Sequence, residues 1–148
     1  MVSISQFFEQ LGAPLHNIVW SWGARRESDG AIFLRVFQHE CKTINEKPMT
    51  CVFGKKKPGQ RLGAAERAEH VADIRAGAKC YIVMCKAADP KASSGAVIAS
   101  YDSDRLFLCD HVQMIEGRWW VQRVKSIPAR ELMPNVRAPN PTGGTGLS

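Results

Sequence analysis

The chain has 148 residues, 45% hydrophobic and 23% charged, a balance that excludes a disordered polar chain and a membrane protein and fits one domain with a substantial core. Its formal net charge of +6 draws it toward polyanions and says nothing about fold. No apolar run approaches the roughly 18 residues of a membrane span, and Met1-Val2-Ser3-Ile4-Ser5-Gln6 lacks the basic and apolar stretches of a secretion signal, so the expected location is cytoplasmic.

Residues 3–12 read as a short helix: Ser3 or Ser5 caps it, Phe7, Phe8 and Leu11 give an apolar side, and Gly12 with Pro14 stops it. The stretch from Trp20 to Phe37 reads as two strands around the turn Glu27-Ser28-Asp29-Gly30, whose Asp-Gly pair is a hairpin signal. Alternation puts Trp20 and Trp22 on one side of the first strand. On the second strand Ile32, Leu34 and Val36 share a core face, and Phe33, Arg35 and Phe37 share the other. That second face has two readings: a core face covered by a helix with Arg35 salt-bridged, or a stacking pocket for a flat ligand such as a nucleobase, since rings and guanidinium planes both stack on bases.

Met49–Phe53 is a third strand. Gly54-Lys55-Lys56-Lys57-Pro58-Gly59-Gln60-Arg61 is the one true charge cluster, punctuated by Gly and Pro and therefore a loop. It is the natural phosphate contact of the chain. Residues 63–76 form the clearest helix, with Ala64, Ala68, Val71 and Ile74 as the expected buried stripe and Gly77 as terminator. Glu66, His70 and Asp73 share a helical face, which a solvated surface explains more cheaply than chemistry. Lys79–Lys86 is a nearly continuous apolar run, expected to be a central strand buried on both faces. Ala96–Tyr101, Leu106–Ile115 and Trp119–Lys125 are three further strands, the last two a hairpin across Glu116-Gly117. Ser126–Met133 returns as a short cover, and residues 134–148, rich in Asn, Pro, Gly and Thr, read as a flexible tail to a single domain over 1–133. The expected fold is α+β: a curled, mostly antiparallel sheet or small β-barrel of about seven strands with two covering helices.

Cys41, Cys51, Cys80, Cys85 and Cys109 lie in or beside apolar strand-like segments without paired CxxC spacing, so reduced core thiols and no metal are expected. No nucleophile elbow, Walker loop, HExxH or dinucleotide fingerprint occurs. His39 and Cys41 would share a strand face, the nearest approach to a Cys–His pair, and an ordinary strand end explains them equally well. Asp102 and Asp104 sit in a turn, where Asp is favoured for local hydrogen bonds. No catalytic residue and no cofactor is assigned.

An aromatic opening strand (Trp20-Ser21-Trp22), a later helix ending Asp73-Ile74-Arg75-Ala76-Gly77, a strand directly after it (Lys79-Cys80-Tyr81-Ile82-Val83), then a loop and Gly95-Ala96-Val97-Ile98-Ala99-Ser100 follow one another in this chain. That progression resembles the PUA-like superfamily, the small β-barrels that include EVE, ASCH, YTH and SRA domains. Those domains commonly carry an acid after the helix-ending glycine, where Ala78 and Lys79 stand here. Trp20-Ser21-Trp22-Gly23-Ala24 with Phe33-Leu34-Arg35-Val36-Phe37 also looks similar to small bacterial proteins and to domains that accompany HNH-type nucleases. The resemblance spans residues 5–132 and implies a barrel that reads nucleic acid, often a modified base held in an aromatic cage.

The leading functional expectation is a DNA- or RNA-binding module, a reader of a modified or flipped base without catalysis. Arg25, Arg26, Lys55, Lys56, Lys57 and Arg61 would hold phosphates, and Trp20, Trp22, Arg35 and Phe37 would form the base-stacking pocket. One alternative is an accessory protein that meets a protein partner through exposed Trp119 and Trp120. Another is a small hydrolase or nuclease whose site the motifs do not disclose.

Overall fold

A computed structural model describes residues 2–18, 21–54, 61–89 and 98–134, with the backbone but not the side chain of Arg61. The sequence's tail, from residue 135 on, lies outside the described residues. Ser3 opens helix α1 (Ile4–Gln10) with a reciprocal cap: its Oγ accepts the Gln6 N–H at 3.2 Å, and Gln6 Oε1 accepts the Ser3 N–H at 3.0 Å. Gly12, at φ +80°, turns the chain out of the helix. The expected hairpin follows as β1 (Gly23–Arg25) and β2 (Ile32–Phe37). Its turn closes on Gly30 at φ +76°, while Asp29 accepts the Ala31 N–H and pairs with Arg26 at 2.9 Å.

After β2 comes one 3-10 turn (Gln38–Glu40), then β3 (Cys41–Ile44) and β4 (Lys47–Phe53). Asn45 and Glu46 both take positive φ, 51° and 65°, as a two-residue hairpin turn of the primed type requires. Helix α2 (Arg61–Arg75), β5 (Cys80–Ala87), β6 (Ile98–Tyr101), β7 (Arg105–Ile115), β8 (Arg118–Pro128) and the single-turn helix α3 (Ala129–Leu132) complete the described chain. The strands form one eight-stranded sheet in the order β1-β2-β5-β7-β8-β4-β3, with β6 on β5. Only β2 and β5 pair in parallel; the other described pairings are antiparallel.

The fold is therefore mixed α+β and mostly antiparallel, as the sequence indicates, but three details differ. Among the described residues there are eight strands rather than about seven, because Cys41–Ile44 pairs with β4. The short cover over 126–133 contains a third helix, the single turn α3. The sheet does not close into a hydrogen-bonded barrel, since β1 and β3 end its path as separate edges.

Both sheet faces are covered, which explains why β5 is buried at every position but Lys86. On one face Phe33, Tyr81 and Val83 pack with Phe7, Phe8 and Leu11 of α1 and Ala129 of α3. On the other, Ile32, Leu34, Val36, Ile82 and Val121 pack with Val71 and Ile74 of α2. Each such fully buried side chain stabilises by about 1.5–3 kcal/mol. Phe33 is fully buried and stacks on Tyr81 with ring centroids 5.0 Å apart, so at that position the helix-covered core reading holds and no open ring is offered. No described helix is long and apolar enough to cross a membrane.

Candidate nucleic-acid interface

The β1–β2 ladder runs out at Gly23, opposite Leu34. One residue further the Arg35 N–H still donates to the Trp22 carbonyl at 2.9 Å. Trp22 and Arg35 are therefore backbone neighbours at the end of the ladder, but Arg35 alternates onto the face of Phe33 and Phe37, while the Trp22 ring lies against α2 on the face of Ile32, Leu34 and Val36. The Arg35 carbonyl, however, meets no strand. It accepts the Arg67 guanidinium from α2 at 2.9 Å, which also donates to Trp22 O at 3.1 Å and to Val52 O. Val52 is the extra residue at the β4–β8 register slip, between Cys51, opposite Trp120, and Phe53, opposite Trp119. A bulge leaves a residue without a ladder partner, and here a side chain supplies its donor.

Arg67 thus ties the β1–β2 edge to β4 across the place where the sheet stays open. It is buried, at 6% exposure, and burial pushes its pKa down to about 10, which leaves it charged at neutral pH. Its guanidinium carbon lies 5.6 Å from the Trp22 ring. The first turn of α2 presses on the same indole: a Cβ on Gly63 would stand 2.4 Å from Trp22 Cε2, so only glycine fits. His70, one turn on, is also buried, with its Nδ1 unpartnered, and burial with Arg67 beside it pushes its pKa down to about 4.

The inner face of α2 is therefore Gly63, Ala64, Arg67, His70, Val71 and Ile74, while Ala68, placed in the stripe by its spacing, is exposed. His70 is likewise not on a solvated face. Both residues have the helical spacing of the stripe; alanine is too weakly apolar to show which side of the helix faces inward.

Glu66 reaches from α2 to the segment just before β1. Its Oε2 accepts the Ser21 hydroxyl at 3.1 Å, and the Ser21 Oγ accepts the Asn17 N–H at 2.9 Å. Burial raises its pKa, opposed by Ser21, the Trp22 N–H, His16 and Arg67. Half-buried Arg35 has its pKa lowered by desolvation, opposed by Cys85 and Glu66. No carboxylate among the described residues lies within ion-pairing distance of it, so the expected Arg35 salt bridge is not found there.

The other sequence-named residues fall as follows. Arg25 is exposed on β1. Arg26 is committed to structure: it pairs with Asp29, donates to Leu11 O and Leu132 O, and lies 5.0 Å from the Phe33 ring, at the turn end of β1 away from Trp22. Phe37 is half-buried and stacks on His39 at 5.4 Å. Trp20, Lys55, Lys56, Lys57 and the Arg61 side chain lie outside the described residues. Of the described residues on either side of the lysine stretch, Val52 in β4 gives its carbonyl to Arg67 and Gly63 in α2 lies against Trp22.

Trp119 and Trp120 do not form the exposed anchor expected of them. Trp120 is 5% exposed beneath Lys42, and Trp119 is half-buried with the Arg75 guanidinium 4.5 Å from its ring. The His39–Cys41 pairing is not assembled either, because Cys41 Sγ turns to Thr50 Oγ1 at 3.4 Å and Met84 Sδ at 3.8 Å. All five cysteines are free thiols. Burial pushes Cys85 up to about 11, and Cys109 is raised by its hydrogen bond with Cys80 and by burial, so neither is a ready nucleophile. No group of three metal-ligating side chains occurs among the described residues. No family model, curated protein or solved structure matches the chain.

Proposed function

We propose that this protein is a nucleic-acid-binding module of PUA-like type, which grips DNA or RNA phosphates and reads a flipped or modified base without catalysis of its own. Lys55, Lys56, Lys57 and Arg61 are its phosphate contacts, with exposed Arg25 as an outlying cation. Trp22 and Arg35 flank the base, with Trp20 and Phe37 beside them.

One observation supports this reading: the Trp22 ring lies against Gly63 at the start of α2, the helix that follows the Lys55-Lys56-Lys57 stretch in the sequence, and the Arg35 N–H donates to the Trp22 carbonyl. Charge that positions a backbone and planar groups that stack on a base are the two parts that single-strand recognition combines. The test is a titration of single- and double-stranded oligonucleotides, plain and base-modified, at two salt concentrations. The expected result is binding that weakens steeply with salt and favours unpaired or modified bases. Absence of salt-dependent binding to every probe contradicts the proposal.

A further inference from the structure

Glu66 carries an atom that the fold does not use. Its Oε2 is fixed by the Ser21 hydroxyl, while its Oε1 is screened from solvent and has no hydrogen-bond partner. Native structures rarely leave a buried polar atom unpaired, and such atoms concentrate where a ligand completes the set. The orientation is firmly held. Ser21 is buried, its Oγ accepts the Asn17 N–H, and its one proton is therefore directed at Glu66 Oε2. Burial raises the Glu66 pKa, opposed by Ser21, the Trp22 N–H, His16 and Arg67. In its ionised form a carboxylate accepts hydrogen bonds and donates none, so a group that completes that form must bring an N–H or O–H.

We propose that Glu66 is the specificity-determining residue of the base site: Oε1 accepts an N–H from the exocyclic amino group of a cytosine-type base and disfavours the carbonyl that thymine offers at the same place. This rests on the reading of the chain as a nucleic-acid binder. Trp22 and Arg35 are sequence-tolerant partners, since a ring stacks on any base and a guanidinium donates to any base carbonyl or ring nitrogen. Only the carboxylate distinguishes an amino group from an oxygen at the base edge. Oε1 is covered in this structure, so a base that reaches it must displace the groups over it.

Glu66→Gln gives a sharp test, because the Ser21 proton dictates how the amide must sit. The carbonyl oxygen takes the Oε2 position and the NH₂ takes that of Oε1, so a donor replaces an acceptor. The probes are short single strands of oligodeoxycytidylate and oligothymidylate, pyrimidines with opposite groups at that edge, thymine carrying a 5-methyl group besides. The wild-type protein should favour cytidylate by about tenfold, Glu66→Gln should reverse the order, and Glu66→Leu should bind the two within about twofold, each variant checked by its melt and its retained salt dependence. A folded Glu66→Gln or Glu66→Leu with the wild-type preference overturns the role of Glu66, as does a wild-type protein that binds thymidylate equally well; both leave nucleic-acid binding standing. A wild-type protein that binds neither strand in a salt-dependent way overturns the underlying reading instead.

Discussion

Replacing Arg67 with Met tests whether one buried side chain holds the open seam of the sheet. The substitution keeps an unbranched apolar stem and removes the guanidinium that reaches Val52 O, Trp22 O and Arg35 O. Trp22 O keeps the Arg35 N–H, so the carbonyls of Val52 and Arg35 lose the donor found for them here. A buried acceptor left without its donor costs about 1–3 kcal/mol. Removing the cation from beside the Trp22 ring adds about 0.5–1 kcal/mol. Relief from burying a charge whose pKa has fallen from 12.5 to about 10 offsets part of that. The net expectation is a loss of about 3 kcal/mol, or a fall of about 6–12 °C in Tm for a chain of this size. Arg67→Lys should recover less than half, since an ammonium lacks the planar fork that spans three carbonyls. Thermal and urea unfolding give the answer. Because the partners are carbonyls, the loss should persist at high salt. An Arg67→Met protein that melts within about 2 °C of wild type refutes the seam argument.

His70 is kept neutral by the fold, with its pKa at about 4 against 6.5 unfolded. Its contribution is thus fully present above pH 6.5 and is lost as pH falls toward 4, by about 3 kcal/mol. Urea unfolding across that range should show the slope, and His70→Gln should flatten it. Gly63→Ala sets helix propensity, which favours Ala by about 1 kcal/mol, against a Cβ 2.4 Å from the Trp22 indole. The clash should win, lowering stability by about 1–3 kcal/mol and shifting the tryptophan emission; a stabilised variant would show that the indole moves freely. Trp120→Ala should cost about 3–5 kcal/mol in denaturant unfolding, whereas an exposed partner anchor would cost almost nothing.

The parts of this fold that could be read from the sequence are those fixed by neighbours in the chain. Ser3 and Gln6 cap α1 across three residues, and Asp29-Gly30 and Glu116-Gly117 make their turns with the positive φ that glycine favours. The apolar run that became β5 announced its burial on both faces. β3 stayed hidden because an edge strand reading Cys-Lys-Thr-Ile buries little, and its Asn45-Glu46 turn lacks the glycine that signals a hairpin. The parallel pairing of β2 with β5 is set by packing between segments far apart in the chain. Arg67 was illegible for the same reason: its acceptors lie on three elements distant from it, and an arginine in a helix pattern is indistinguishable from a solvated one. Alternation names Trp22 and Arg35, and the structure shows the Arg35 N–H donating to the Trp22 carbonyl. Glu66 and His70 read as a solvated face, and Ser21 draws no notice in the sequence, because burial rather than residue type marks them.

The proposed phosphate contacts are Lys55, Lys56 and Lys57, and the salt dependence of oligonucleotide binding tests them most directly. Plotted as log affinity against log salt concentration, the wild-type protein should give a steep negative slope. Lys55→Ala, Lys56→Ala and Lys57→Ala combined should weaken binding to every sequence alike and flatten that slope by about 0.7–0.9 for each phosphate no longer neutralised. A triple variant with the wild-type slope contradicts the account.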